Sequence, residues 1–517
     1  MLRANGSGTA GTGFATLPGS GRPTRVVMTA TESRSTPSAS TSIDISYGLR
    51  HQVLSPIEVL GQSIANIAPT VTPAVVIPLV FAVAGPGTGF AYVFALVAVL
   101  LVSSALSEFA RRSASPGSIY TYIAMGLGPH WGIVAGWTLL VAYIGCAASV
   151  TSGFANYVNV FYKSVFNVPT GLSTPALTAT MFLGVCSALL VAYKDMKLSA
   201  RLSLLLELAS LSFILVVIAA TLVRHGAHFD YAQLHLESIG AGNLRLGVVL
   251  AIFSFTGFES ATSLGSEASA PLRTIPRAMF RSGILVGALF ILSSYAEIIG
   301  FADGGARLDE SDAPLQFLAT RAGIGAFGLA ITIGAVISFF ACILASINSA
   351  ARILLLMSRH GIFNSSLGDV HEVNRTPHVA VTIAAALSFL PAGILAWLGV
   401  RMFDIYGLVG TTATIGFIVS YIIVSVAAPI YLHRRSELRA RHLIAHSAAV
   451  IFMGIALEGA VYPLPVAPSV YSIYASIVLV AIGALWGLAV HLLSPGVHTR
   501  IRSDLAAIGS RFQSSGK

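Results

Sequence analysis

Four carboxylates, Glu207, Glu259, Glu297 and Glu458, stand inside long apolar runs. In hydrocarbon an ionised group is costly unless it is paired or neutralised, so each is a candidate for cation coupling or for a buried hydrogen bond. Glu259 has the most telling surroundings. It follows Thr256, Gly257 and Phe258 in the stretch GVVLAIFSFTGFESATSLGSEASAPLRTIPRA, residues 247–278. Residues 247–255 are nearly continuous apolar sequence, enough for about half a membrane crossing, and end where Thr256 begins. Glycine in a helix interior costs about 1 kcal/mol relative to alanine. A second interruption lies in LGQSIANIAPTVTPAVVIP, residues 60–78, which holds Asn66, Pro69, Thr70, Thr72 and Pro73. Proline has no N–H to donate, so Pro69 removes the usual partner of the Ala65 carbonyl, and Pro73 that of Pro69. Unpaired amides at a helix start suit an anionic group, and unpaired carbonyls at a helix end suit an ammonium. Two facing breaks would therefore hold a small zwitterion. The competing reading is a pair of kinked helices packed through their small residues.

The elements that must position these groups are membrane spans. The chain has 517 residues, 55% hydrophobic and 10% charged, with mean hydropathy +0.80. Soluble globular chains carry about 25% charged residues, so this composition predicts an all-α polytopic membrane protein. Apolar runs predict twelve spans, at about 20 residues per crossing: 57–83, 89–107, 131–158, 174–192, 202–223, 246–270, 279–300, 324–356, 379–398, 403–432, 444–461 and 471–493. The broken spans are the first and the sixth. That spacing suits inverted repeats of spans 1–5 and 6–10 with two additional helices, because an odd number of spans inverts the second copy. Residues 1–50, rich in Gly, Ser, Thr and Pro, are expected to form a disordered cytoplasmic tail. They lack the apolar core of a signal peptide, and Met28 offers an alternative start. Residues 51–432 form the expected core, 433–493 the added helices, and 494–517 a cytoplasmic tail.

With the amino terminus inside, 24 of the 30 Lys and Arg residues fall on the inner side. The net charge of +9 thus reads as a cytoplasmic membrane face, not as a nucleic-acid surface. Cys146, Cys186 and Cys342 are odd in number and sit in apolar runs, which implies no disulfide framework. No HExxH, paired membrane aspartates or GxSxG beside a suitable histidine points to an intramembrane enzyme, and no metal or cofactor motif is present. His130, His360, His371 and His378 lack metal-ligand spacing and receive no role. Gly128, Gly132 and Gly136 have the spacing of close helix packing.

FSFTGFESATSLGSEASAPLRTIPRA resembles the sixth-helix signature of the amino acid–polyamine–organocation permeases. Residues 115–122, 345–361 and 375–378 resemble that superfamily's loop into helix three, end of helix eight and loop into helix nine. The resemblance extends over about residues 55–493. It implies a LeuT-like 5+5 inverted-repeat fold and a secondary carrier in the cell membrane, coupled to protons or sodium, working by alternating access. Matched residue by residue, the helix-one amides fall near Ile67, Ala68, Thr70 and Val71, with Asn66 beside them. The helix-six carbonyls fall near Phe253, Phe255 and Thr256, with Gly257 as the break and Phe253 as an aromatic gate. Ala68-Pro69-Thr70-Val71 replaces a Gly-rich motif, which leaves the carboxylate contacts, and whether the substrate has a carboxylate, open. The apolar setting of Phe253, Phe255 and Phe258 favours a neutral amino acid, bulky or aromatic ones included. The resemblance also implies a cation site between helices one, five and eight, which makes Glu207 the first candidate for coupling. Glu259 carries a proton or holds the break open. Ser346 and Asn348 support the site, and Arg352 snorkels to the interface. An exchanger of amino acids, amines or polyamines, and a non-transporting receptor or channel of this fold, are the alternatives. Oligomeric state is open.

Overall fold

The computed structural model describes residues 47–226, 230–234, 240–311, 313–462, 464–465 and 467–514. The expected disordered tail lies outside these residues, apart from Tyr47–Arg50. Among the described residues, eleven helical stretches are long and apolar enough to cross a membrane. The first of them, Pro56–Ala110, has 55 residues and is divided at Gly85–Gly87. At about 1.5 Å per residue it is far too long for a single crossing, and the first two spans of the sequence reading are its two arms.

Helix α1 (Pro56–Ile67) begins with a reciprocal cap: the Ser55 amide donates to Glu58 Oε2 at 2.7 Å, and the Glu58 amide donates to Ser55 Oγ at 3.4 Å. It stops at Ala68, a left-handed residue with φ +52°, because Pro69 comes next. One π-type turn, Thr72–Val76, absorbs Pro73 before α2 (Ile77–Ala84) and α3 (Thr88–Ala110). The first half continues with α4 (Ser118–Leu127), α5 (Pro129–Phe166), α6 (Thr174–Lys194) and α7 (Met196–His225). The second half has α8 (Ala241–Phe253), a 3₁₀ segment Phe258–Leu264, α9 (Pro271–Ala302), short α10 (Pro314–Arg321), α11 (Gly328–Arg359), α12 (His378–Trp397) and α13 (Met402–Arg434). Helices α14 (Ala440–Val461), α15 (Val470–Leu493) and α16 (Pro495–Ser514) follow.

Each half therefore runs broken helix, long helix, short helix, long inner helix and two more. The packing repeats as well. Helix α5 packs on α13 as α11 packs on α7, and α3 packs on α8 as α9 packs on α1. This is the inverted-repeat order anticipated from the two breaks. The glycine reading holds at two of its three positions. A Cβ at Gly132 would lie 2.7 Å from the Ala124 Cβ, and one at Gly136 would lie 2.8 Å from Met357 Sδ. Gly128 instead caps α5, at φ +100°. The segment after residue 493 is helical, and its Asp504 accepts from the Tyr47 hydroxyl at 2.9 Å. Nearby, Asp504 meets His360, whose Nδ1 lies 2.6 Å from the Tyr120 hydroxyl. Sequence reasoning assigned His360 nothing.

Candidate functional site

The two breaks face each other. Helix α8 ends at Phe253 and the chain descends through single i→i+3 turns: Phe255 N–H to Ile252 O, Thr256 N–H to Phe253 O, and Phe258 N–H to Phe255 O. Gly257 sits at φ +91°. A Cβ built there would lie 1.9 Å from Asn66 Nδ2, so the glycine lets the backbone of one break touch the side chain of the other. Asn66 is held by Ser346, which donates to its Oδ1 at 2.8 Å, and by Cys342, whose thiol donates to its carbonyl at 3.3 Å. Its Nδ2 has no partner among the described residues. Below the breaks the two chains are stitched together: Ser63 Oγ donates to Phe258 O at 2.8 Å and Ser260 Oγ donates to Gln62 O at 3.2 Å.

Some expected contacts change in detail. The Ala65 carbonyl is not left free, because the Ala68 amide turns back to Ala65 and Ile64. The Val71 amide donates to Ala68 O at 2.9 Å. Two of the four expected helix-one amides are thus engaged inside the turn. On helix six, the Phe253 carbonyl already accepts from Thr256, and that of Phe255 from Phe258. The three phenylalanines do not share one pocket. Phe255 stacks edge-on against Phe290, and Phe258 packs against Tyr421. Phe253 alone lines a cavity of about 430 Å³, together with residues such as Val249, Thr414 and Ile415, and its ring meets Tyr406 at 5.9 Å.

Glu259 is fully buried between two tyrosines. Tyr143 of α5 donates to Oε1 at 2.7 Å and Tyr421 of α13 donates to Oε2 at 2.5 Å. With both oxygens engaged, the carboxylate ties the break to two scaffold helices, which is the break-holding alternative for this residue. Sequence reasoning missed both tyrosines, although a Tyr inside an apolar span needs a partner for its hydroxyl. Glu207 lies at the meeting of α1, α7 and α11. Ser338 donates to its Oε1 at 2.7 Å, and Oε2 has no partner among the described residues. One turn on, Ser210 Oγ is 2.5 Å from Thr70 Oγ1 and donates to Gly334 O at 2.8 Å. Glu207 thus shares a hydroxyl-rich junction with the first break. Asn348 does not join it, because its amide donates to Ser199 Oγ at 2.7 Å, further toward the end of α11. Glu297 is buried with both oxygens unpaired among the described residues, and Glu458 bonds Arg245 at 2.6 Å.

The site is closed on the side of residues 47–55. Leu54 pairs with Ala268 as a parallel bridge, and Arg50 meets Asp195 at 2.7 Å. Arg352 does not snorkel. It is 1% exposed and forks onto both oxygens of Glu267 at 2.7 and 2.9 Å, a partner the sequence reading did not name. Removing one member of a buried pair strands the other charge and costs about 3–5 kcal/mol. Glu267→Gln is therefore expected to lower unfolding stability by about that amount. The double change Glu267→Leu with Arg352→Met should recover most of it, as checked by thermal unfolding of the purified protein in detergent.

The amino acid permease family matches residues 60–487. The chain is 26% identical to the low-affinity putrescine importer PlaP of Escherichia coli over 58% of its own length and 66% of the importer's, about two thirds of that relative. It is 25% identical to the branched-chain amino acid permease BcaP of Bacillus subtilis, over 69% of this chain and 76% of that one. It is 24% identical to the serine/threonine exchanger SteT of the same species, over 58% and 67%. Among solved structures it resembles MhsT in complex with L-phenylalanine, with TM-score 0.54 and 14% identity, over 80% of this chain and 99% of that one.

Proposed function

This chain belongs to the amino acid permease family, and from that premise we propose that it is a secondary carrier taking up a neutral amino acid by alternating access, driven by protons. The observation that carries the reading is Gly257 set against Asn66: two interrupted helices meet at mid-span, where irregular backbone is tolerated only around a cavity or inside protein. Every residue from Asn66 to Val76 and from Ser254 to Glu259 is buried, as an occluded state requires. Thr70, Thr256, Gly257 and Asn66 line the substrate position, while Phe253 closes it on the side of the 430 Å³ cavity. Glu207 carries the coupling charge, with Ser338 as its partner. The excess of Arg and Lys on one side supports an orientation with both termini on the cytoplasmic side of the cell membrane.

A second reading is an amine substrate without a carboxylate. It is favoured by Pro69, which has no amide, and by the Ala68 and Val71 amides, which are spent within the turn. PlaP is named for putrescine, whereas BcaP is named for branched-chain amino acids.

The deciding measurement is uptake into proteoliposomes of labelled leucine, phenylalanine and putrescine, each with an inward proton gradient. Saturable accumulation of a neutral amino acid, abolished by a protonophore, is the expected result. Accumulation of putrescine alone would replace the first reading with the second. Equilibration without accumulation would make the protein an exchanger or a passive pathway.

A further inference from the structure

Three arginines on α9, Arg273, Arg277 and Arg281, are exposed and spaced four apart. They lie on one stripe about 12 Å long, since residues four apart share a helix face and each residue rises about 1.5 Å. Together with Arg111, at the end of α3, they line a cavity of about 390 Å³ whose remaining walls include Pro276 and Phe280. Among the described residues no acidic one lines it. Glu108, one turn before Arg111 on α3, is committed elsewhere: it and Glu437 both pair with Arg112, at 2.7 and 2.6 Å.

Four cations around one hollow repel one another, and the arrangement is worse for its position. Arg273 also stands in the first turn of α9, at the positive end of the helix dipole, where anions stabilise and cations do not. A positive flank would by itself only orient the span in the membrane. That role calls for scattered, solvated arginines and gives no reason for a concave, partly apolar pocket. The same helix face then continues as apolar surface. Ile284 and Leu285 are 51% and 57% exposed, and Leu292 is 40% exposed. Cations at the membrane edge thus lead directly into a strip that must face acyl chains.

We propose that this hollow binds the headgroup of an anionic phospholipid. The phosphodiester sits among the guanidiniums, and the acyl chains run along Ile284, Leu285 and Leu292. Arginine suits the role because its planar fork donates two parallel hydrogen bonds to phosphate oxygens. The continuing apolar strip commits the site to a lipid over a phosphate from solution. Because α9 packs against α1 and the 258–264 segment, the bound lipid would brace the closed side of the central site.

The test uses the full chain, purified in detergent, with phosphatidylglycerol and phosphatidylcholine of matched acyl chains. Lipid retention is read by native mass spectrometry and protection by thermal shift. The wild type should prefer phosphatidylglycerol. A basic side chain near an anionic surface contributes a factor of about five, so the combined variant Arg273→Gln, Arg277→Gln, Arg281→Gln should lose about a hundredfold of that preference. The matching triple Lys variant, which keeps the charges but not the forks, should fall between the wild type and the Gln triple. If the Gln triple does not fold, Arg277→Gln alone should lose about fivefold. Equal retention of the two lipids, or an undiminished preference in the Gln variants, would overturn the proposal. So would equal protection by sn-glycerol 3-phosphate or inorganic phosphate, which would make the hollow a site for soluble anions.

Discussion

Gly257→Leu should abolish transport while leaving the protein folded and inserted. Two separate costs fall on this one substitution. A residue with a Cβ at φ +91° sits in strained backbone, a cost of about 1–3 kcal/mol. The Cβ itself would then stand 1.9 Å from Asn66 Nδ2 and 2.8 Å from its Cγ. Asn66 cannot simply swing away, because Ser346 and Cys342 fix it from α11. The breaks must therefore separate, and the groups between them lose their register. A loss of about a hundredfold or more in uptake is expected, since each 1.4 kcal/mol is about a factor of ten. Gly257→Ala should share the strain and the first clash, and fall nearly as far. Both variants should reach the membrane in normal amounts and show no ligand-induced thermal shift. Substrate protection equal to wild type in either would remove Gly257, and with it the facing breaks, from the binding site.

What was legible in the sequence follows from how locally each feature is encoded. The breaks were legible because proline and glycine act on their own backbone: Pro69 ends α1 at Ala68, and Gly257 supplies a left-handed turn just below α8. The spans were legible because lipid demands a run of apolar residues of fixed length. Less visible was what each break does with its freed groups. The Ala65 carbonyl finds the Ala68 amide by tightening one turn, a choice set by geometry beyond the residue types. The partners of the buried charges were invisible for a different reason. Glu267 with Arg352 is separated by 85 residues, and Glu259 with Tyr421 by 162, so nothing local pairs them. The phenylalanines mislead for the same reason. Residues 253, 255 and 258 are close in sequence, yet the turns from 254 to 257 send their rings to Tyr406, Phe290 and Tyr421.

Glu207→Gln should separate accumulation from exchange. The substitution is nearly isosteric, and the amide oxygen can still accept from Ser338, so the α7–α11 contact survives. What disappears is the capacity to carry a proton or attract a cation. The affected atom is Oε2, which meets no partner among the described residues in a fully buried setting. Its position gives that atom leverage on the first break, because the next turn of α7 places Ser210 against Thr70. A charge gained or lost at Glu207 changes the electrostatics of the junction where α1 is interrupted, which is where a coupling ion must act to bias the substrate site. Counterflow of substrate in proteoliposomes should therefore stay within about twofold of wild type, while gradient-driven accumulation falls about tenfold or more. Ser338→Ala, which removes the partner of Oε1, should lower accumulation less than Glu207→Gln does. Repeating the measurement with a sodium gradient at constant pH identifies the ion, since the carboxylate and the Thr70, Ser210 and Ser338 hydroxyls are hard oxygen donors that suit either. Undiminished accumulation in Glu207→Gln under both gradients would move coupling to another buried carboxylate. Glu297, with both oxygens unpaired among the described residues, would then be tested before Glu259, whose two oxygens already hold the break to Tyr143 and Tyr421.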